Sequence, residues 1–600
     1  MGGRMTALDK LAKKHGISPT RPGIERAKVP ISNQTKRKIL TALHVETNPA
    51  PKCFLPSSVL KERVWGITAQ LYELRSSRNW GIGDFEDLAR LCEIAASWGA
   101  DFVGLSPLHA PFLADPDRCS PYEPSNRRFL NPLYIAVDRV KGFKGTPGLD
   151  TILEKLRRTD LVDYKGVAKA KLQVLRQVWK TRNRWSKEEL CAFRNFKQKG
   201  GAALRLHALF EALSSEMQQR GKGAGWTAWP LAYQNPDGED VQRFESDHRE
   251  EVEFHIWLQW LAHQQLSEAA ARAEQARLRI GLYLDLAVGE ALDGSATWSE
   301  RDIYVWGASI GSPPDPWAIN GQDWKLAALQ PSTIAAGANS PFRNIIDETM
   351  RYAGALRIDH AAALRRLYLV PFDSTPEDGA YVEYPDAQLL RVLAEASHAH
   401  CCAVIGEDLG LVPRGLRDQL SAANILSYRI LSYEKSNRGF AAPARYPRLA
   451  LACVSTHDHQ TMVGWWNGAD IDMRLEHRLV PTDAAKEERQ ERERERARIT
   501  RAFNAAGIAL PPYKHSRREQ EFMQALVVSA YRYVGQTPCV LVAARLADMT
   551  NEQRPTNVPG TSTSYPNWRP KLSIALEDIP REPLALMVAQ TLATERPRKG

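Results

Sequence analysis

Ala355-Leu356-Arg357-Ile358-Asp359-His360 is an apolar run that ends on a carboxylate. Two later segments have the same shape: Val404-Ile405-Gly406-Glu407-Asp408-Leu409-Gly410 and Cys453-Val454-Ser455-Thr456-His457-Asp458. A strand buried on both faces of a parallel sheet reads as an unbroken apolar stretch. The charged residue after it marks where the strand leaves the core at the open face. Three such ends bring Asp359, Glu407 and Asp458 toward one cleft. The fold class predicted is α/β, a (β/α)8 TIM barrel with long inserted subdomains on its active face.

Working outward, VWGITAQLYEL (64–74) reads as a strand, followed by a polar loop. A helix is expected over about Phe85–Trp98, with Asp84 as its N-cap and Gly99 as its stop. DFVGLSPL (101–108) is the next strand, giving the β-α-β order of a parallel barrel. Residues 110–275 interrupt the alternation with charged helices, and strand character returns at 278–286, 355–359, 402–407 and 451–456. Further helices are expected at Ala387–His398 and Pro413–Ala422, and a second insertion at 290–340. The boundaries predicted are a helical prelude (1–47), a linker (48–63), the barrel (64–575) and a C-terminal tail (576–600). In the prelude, Leu8, Leu11 and Ala12 share one helical face and Ser32–Leu43 forms a second helix. That apolar spacing, continued by Ile17, is expected to cover an apolar patch on the barrel.

The 600 residues suffice for a large core, and the composition, 43% hydrophobic and 25% charged, is that of a globular protein. No apolar stretch is long enough to span a bilayer, so no membrane association is expected. The N-terminal residues lack the apolar centre of a secretory signal. Gly2 and Thr6 fit a loose myristoylation pattern that a start at Met5 would remove. Eight scattered cysteines without CxxC spacing suggest reduced thiols in a cytoplasmic protein and no zinc site. The net charge of +10 raises the possibility of a nucleic-acid partner, but no recognition motif accompanies it. Much of that charge sits in KEERQERERERARITR (486–501), whose alternating signs read as a solvated helix face. No P-loop or dinucleotide fingerprint is present, so no cofactor is expected.

Strand alternation sends Arg357 and Asp359 to the same side. A guanidinium beside a carboxylate keeps it ionised, as a nucleophile must be, although a structural ion pair at a strand end reads the same way. Glu407, half in an apolar run and next to Asp408, has the surroundings of a protonated general acid, or of a residue capping the next helix. His457 and His459 flank Asp458 and suit sugar hydroxyls better than a metal, whose ligand spacing is absent. Two carboxylates across a glycosidic bond are the minimum for retaining chemistry at a sugar carbon. Trp65, Trp80, Trp465 and Trp466 near strand ends offer flat faces for pyranose rings, though each is more readily a core residue.

The chain resembles the amylomaltases, the 4-α-glucanotransferases or disproportionating enzymes. The matching segments are LYELRSSRNWGIGDFEDL (71–88), SPYEPSNRRFLNP (120–132), GLYLDLAVG (281–289) and GSPPDPWAINGQDW (311–324). RYAGALRIDH (351–360), IGEDLG (405–410), VSTHDHQTMVGWW (454–466) and NVPGTSTSYPNW (557–568) follow in the family's order. The resemblance implies transfer of α-1,4-glucan segments between maltooligosaccharides, with no metal and no cofactor. It implies Asp359 as nucleophile, Glu407 as general acid/base and Asp458 as the third carboxylate that distorts the donor sugar. Arg357 would orient Asp359; His360 and His457 would bind the donor sugar and Tyr122 would stack on it. Asp285 and Asn557 would line the cleft, and Pro314-Asp315 would border the acceptor side.

Four departures from the family pattern stand out. The β-rich module that longer bacterial members carry after the prelude is missing. Ala363 and Lys325 stand where the family usually has Gly, and Asp548 takes the acidic place in ARLADM. The alternatives are an α-amylase-like retaining glucan hydrolase with the same carboxylates, a silent glucan-binding protein, and a basic nucleic-acid-binding protein.

Overall fold

Eight parallel strands pair edge to edge until the last meets the first, closing a barrel. They are β1 (Val64–Ala69), β2 (Phe102–Leu105), β3 (Gly281–Leu286), β4 (Ala355–Ile358), β5 (Ala403–Gly406), β6 (Leu426–Ile430), β7 (Ala450–Cys453) and β8 (Leu541–Arg545). The structure, a computed structural model, describes residues 7–22, 28–43, 52–145, 147–315, 318, 320–337, 339–511, 519–561 and 564–598. The Gly2–Thr6 pattern therefore lies outside the described residues.

Side-chain size sets how the barrel fills. A Cβ at Gly66 of β1 would sit 2.4 Å from the Phe102 ring, and one at Gly104 of β2 would sit 2.5 Å from the Tyr283 ring. Glycine on one strand thus makes room for an aromatic ring on the next, and Phe102 and Tyr283 meet edge to face at 5.8 Å. With Leu426, Tyr428, Leu451 and Leu541 they form an apolar plug across the barrel. The rows Ala355–Arg357–Asp359, Ala403–Ile405–Glu407 and Tyr283–Asp285 follow the strand period of two. Their lower members, Ala355, Ala403, Ile405 and Tyr283, belong to the plug. The upper members are the charged residues.

The first helix begins as the sequence predicts. The Asp84 carboxylate accepts the N–H groups of Glu86 and Asp87, and Asp87 accepts the N–H of Asp84 in return. The helix runs Phe85–Ser97, and Gly99 turns the chain out of it with φ +84°. The helices expected from 387 and 413 run Asp386–Ala399 and Leu416–Ala422.

Four boundaries differ from expectation. Helix Arg249–Gln275, placed within the first insertion, packs on Phe85–Ser97 and leads into β3, so it is one of the barrel's own helices. Its buried residues run nearly all round, from Val252 to Ala273, which hides the amphipathic stripe. The second insertion does not end at 340: strands Arg366–Pro371 and Ala380–Glu383, beyond β4, complete a five-stranded antiparallel sheet with Glu290–Ala291, Ala308–Ser312 and Gln322–Ala327. Residues 52–63 are not a free linker, since Cys53 N–H donates to Ala423 O (2.8 Å) and Val59 is buried in the plug. Nor are residues after 576 a tail. Helix Pro583–Glu595 packs on Glu519–Gly535, and the buried Arg596 donates to the carbonyls of Gly535, Thr537 and Cys539.

The described residues ahead of Lys52 form a separate compact unit. It holds helices Ala7–Lys14 and Asn33–Ala42, the second capped by the Ser32 hydroxyl (3.1 Å from Thr35 N). It also contains an unforeseen hairpin, Thr20–Pro22 with Lys28–Pro30, each strand ending on proline. No helix among the described residues is long and apolar enough to cross a membrane.

Candidate active site

Strand β4 supplies the centre of the site. Arg357 sits in register with Asp285 on β3, and both are buried. Its guanidinium donates to both Asp285 oxygens (2.8 and 2.7 Å) and lies 2.9 Å from Asp359 Oδ1. One cation thus bridges two carboxylates and fixes the free face of Asp359. Burial raises the Asp359 carboxyl above the ordinary range; Arg357 pulls it down, and Asp285 and Asp458 push it back up.

Glu407 is held by backbone. The strand ladder continues past β4 and β5, with Glu407 N–H donating to Ile358 O (3.0 Å) and Ala361 N–H to Glu407 O (2.8 Å). His360 takes φ +46°, in the left-handed region, and its N–H donates to Glu407 Oε2 at 3.1 Å. Leu409 N–H donates to Oε1 at 2.7 Å. Burial pushes the Glu407 carboxyl up to about 7, with Arg357 opposing and the charge of Asp359 reinforcing. The neighbouring Asp408 is wholly structural, taken up by Arg417, Ser427 and the N–H of Tyr428.

Asp458 stands on a loop after β7. Its oxygens meet His457 Nε2 (3.1 Å) and Asn557 Nδ2 (3.2 Å). Burial alone would raise it, but His457, by charge and hydrogen bond, with His459 and Arg357, holds it well below the usual carboxylate range. Tyr122 closes this side. Its hydroxyl donates to Asp285 (2.7 Å), and its ring stacks on His457 with centroids 4.9 Å apart and tilts against Trp568. Asp315 turns its loop by accepting the N–H of Ala318 at 2.7 Å. Its charge acts on Tyr433 together with those of Asp458 and Glu407. The ten residues singled out in the sequence therefore converge on one face of the barrel.

The four tryptophans do not. Trp65, Trp80 and Trp466 are buried in the fold, and Trp465 lies beneath Arg492. The rings bordering the cleft are Tyr122, Trp568, Trp324 (edge-on to His360 at 5.4 Å) and Tyr433, whose hydroxyl meets His459 Nε2 at 2.9 Å. The charged run 486–501 lies on helix Thr482–Ala505, which is only partly a solvated face. It buries Arg492 and Glu495, and Arg492 pairs with Asp470.

Two residues whose role the sequence motifs do not indicate hold the Asp458 loop. Arg545, buried at the end of β8, donates to the carbonyls of Thr456 (2.6 Å) and His459 (2.8 Å) and to the Thr556 hydroxyl (2.8 Å). Asp548 accepts from Ser455, Tyr531 and the N–H of Met462. The signal was there: Val540–Arg545 is another apolar run ending on a charge.

Both glycine replacements are accommodated. Ala363 sits in the 3-10 turn Ala361–Leu364, its N–H on His360 O (2.8 Å). Lys325 takes φ +58° within a bulge, which explains why glycine is usual there. Asp323 offsets the strain by accepting the Lys325 N–H (3.0 Å) and pairing with its ammonium (2.6 Å). Among the described residues no group of His, Cys, Asp and Glu is arranged to hold a metal ion.

Barrel and strand-end carboxylates together define a (β/α)8 enzyme. The sequence profile of the 4-α-glucanotransferases matches residues 69–576, and the chain belongs to that family, which acts on α-1,4-glucans by transglycosylation. The 4-α-glucanotransferase of Haemophilus influenzae is 33% identical over 542 residues, covering 87% of this chain and 78% of that protein. That of Mycobacterium tuberculosis (strain ATCC 25618 / H37Rv) is 34% identical over 564 residues, covering 90% and 76%. The crystal structure of amylomaltase from Corynebacterium glutamicum matches with a TM-score of 0.78 and 27% identity, covering 98% of this chain and 99% of the other. Amylomaltase from Streptococcus agalactiae in complex with acarbose, 17% identical, shares the fold with a TM-score of 0.71 over 89% and 99% of the two chains.

Proposed function

We propose that Asp359, Glu407 and Asp458 carry out glucan transfer by double displacement on maltooligosaccharides and longer α-1,4-glucans. Glu407 gives its proton to the departing 4-oxygen as the C1–O4 bond breaks, and an Asp359 oxygen forms an ester with C1. The 4-hydroxyl of an acceptor glucan then attacks C1. Its proton goes to Glu407, the new C1–O4 bond forms, and the ester opens to free Asp359. Asp458, held ionised by His457 and tethered by Asn557, faces the donor ring. His457 and His360 hold its hydroxyls, while Tyr122 forms a flat wall beside it. Asp315 borders the acceptor end.

The observation that carries this assignment is the unequal treatment of the two central carboxylates. Both are raised by burial, but Asp359 has an arginine at 2.9 Å that opposes the rise and leaves it at about 6, whereas Glu407 is held by two backbone N–H groups and is pushed up to about 7. A group near neutrality is suited to serve as acid in one half-reaction and base in the other. A cytoplasmic location is part of the same proposal, suggested by eight scattered cysteines without CxxC spacing.

Incubation with maltotriose and chromatography of the products tests the proposal. Transfer gives a ladder of longer and shorter oligomers with little new reducing sugar; the α-amylase-like alternative gives only shorter ones with a matching rise in reducing ends.

A further inference from the structure

Trp568 borders the donor wall in a backbone conformation that its side chain disfavours. It is third in a turn closed by Arg569 N–H on Pro566 O (3.3 Å), and its φ is +61°. A positive φ at that place normally calls for glycine or asparagine, and a bulky side chain makes it costlier. Such a conformation persists only where its surroundings over-determine it. Here they do. Trp568 N–H donates to Thr556 O (3.0 Å), and the Thr556 hydroxyl is held in turn by Arg545. The buried Tyr164 hydroxyl donates to Trp568 O at 2.7 Å. Val162 N–H donates to Arg569 O (2.8 Å), and the Arg569 guanidinium pairs with Asp117 (2.8 Å).

Those last three holds come from the first insertion. Tyr164 opens its helix Tyr164–Trp179, and Asp117 lies on the loop that leads to Tyr122. The indole so held meets both rings of the donor wall. Its centroid lies 5.4 Å from that of Tyr122 and 5.8 Å from that of His457, while those two stack on each other at 4.9 Å. At 7% exposure Trp568 offers little surface to a ligand, so its effect on a bound sugar passes through Tyr122 and His457. The adjacent Asn567 carboxamide accepts the N–H of Val558 (2.8 Å), which follows Asn557, the tether of Asp458. A strained residue at the rim of a site, fixed from outside it, pre-sets side chains that would otherwise have to be ordered when the ligand binds.

We propose that Trp568, latched by the Tyr164 hydroxyl, is a positioning residue for the donor sugar. It holds Tyr122 and His457 in their binding arrangement, so that the first insertion sets donor affinity through Tyr164 without that residue touching the sugar. This rests on the donor-side roles given to Tyr122 and His457 above. The test uses the full chain with maltotriose as donor and labelled glucose as acceptor, for wild type, Tyr164→Phe, Trp568→Phe, Trp568→Leu and the double variant. In a double displacement, kcat/KM for the donor includes capture of the sugar from solution, whereas kcat/KM for the acceptor starts from sugar already held as the ester. Loss of one buried hydrogen bond predicts a donor kcat/KM roughly 3- to 10-fold lower in Tyr164→Phe. Loss of the ring contacts predicts a drop of roughly 10- to 100-fold in Trp568→Leu, and a smaller one in Trp568→Phe. The value for glucose should stay within about twofold throughout, and Tyr164→Phe should add nothing in the Trp568→Leu background. A purely structural defect would lower both constants by the same factor. Equal losses, an unchanged donor constant in Tyr164→Phe, or a full-sized Tyr164→Phe effect in the Trp568→Leu background each overturns the inference. Should Trp568→Leu not fold, the two constants in Tyr164→Phe and Trp568→Phe decide it. If the wild type transfers nothing to glucose, it is the assignment of function that fails.

Discussion

The two walls of the cleft are held in different ways. On the β3–β5 side, Asp285, Arg357 and Glu407 continue strand rows, and the backbone ladder runs on beneath them. On the other side, Asp458, His457, Asn557 and Tyr122 stand on loops. The loops of Asp458, His457 and Asn557 are braced by residues distant in sequence, above all Arg545 and Asp548, and Tyr122 by its hydrogen bond to Asp285. A strand end is positioned by the whole sheet, whereas a loop-borne carboxylate is only as well placed as its braces. Chemistry that needs a fixed nucleophile and a fixed acid is assigned to the first wall, and sugar recognition to the second.

The largest expected effect comes from breaking the strand-held wall. Asp359→Asn removes the nucleophile while preserving shape, and kcat for maltotriose transfer should fall by roughly three powers of ten or more. Retention of a tenth of the wild-type activity with the same fold would remove Asp359 from its role.

The pH profile sharpens the same contrast. Asp359 must be ionised, and its carboxyl is raised, so the acid limb of kcat/KM should lie above the ordinary carboxylate range. Glu407 must be protonated to release the leaving group, so activity should fall as pH rises through about 7. The outcome is a narrow bell with its optimum on the mildly acidic side of neutrality. A plateau extending to pH 9 would contradict the environment described for Glu407.

Breaking the loop-held wall should cost less. Arg545→Met strips the donors from the Thr456 and His459 carbonyls inside the protein. We expect a loss of about 2–4 kcal/mol in unfolding free energy and a 10- to 100-fold drop in kcat/KM. The alkaline limb should stay where Glu407 sets it. Were that limb to move, the two walls would not be independent.

This division also explains how much could be read from the sequence. The barrel, the first helix cap at Asp84 and the charged strand ends follow from unbroken apolar runs that stop at a charge and from a single N-cap. The sequence motifs brought Tyr122, Asn557 and Asp315 into the candidate set, but nothing local to them shows what holds them in place. Strands β6 and β8 are less legible because LSYRI mixes polar and apolar residues and Val540–Arg545 ends on a cation rather than a carboxylate. Helix Pro583–Glu595 reads as tail because PLALMVAQTLATE has little polar punctuation before its buried Arg596. The five-stranded sheet draws its strands from two separate insertions, a pairing that no short window can reveal.

The smallest effect is expected at Lys325. Lys325→Gly relieves the positive φ but loses the contacts with Asp323 and loosens the unfolded chain. The net change should be a stabilisation of under about 1 kcal/mol, read as a slightly raised Tm. A loss larger than that would mean the Asp323 contacts matter more than the backbone does.

The central claim is that a covalent bond forms at Asp359 while Glu407 manages the proton. Its most direct test is to trap the ester. Glu407→Gln with α-maltosyl fluoride, whose leaving group needs no protonation, should be glycosylated yet turn over slowly, because the base for the second step is gone. Mass spectrometry of the digested protein should find the sugar on the peptide carrying Arg357-Ile358-Asp359-His360, at Asp359. A sugar attached to Asp458 or Asp285, or fluoride release lost to the same extent as natural transfer, would contradict it.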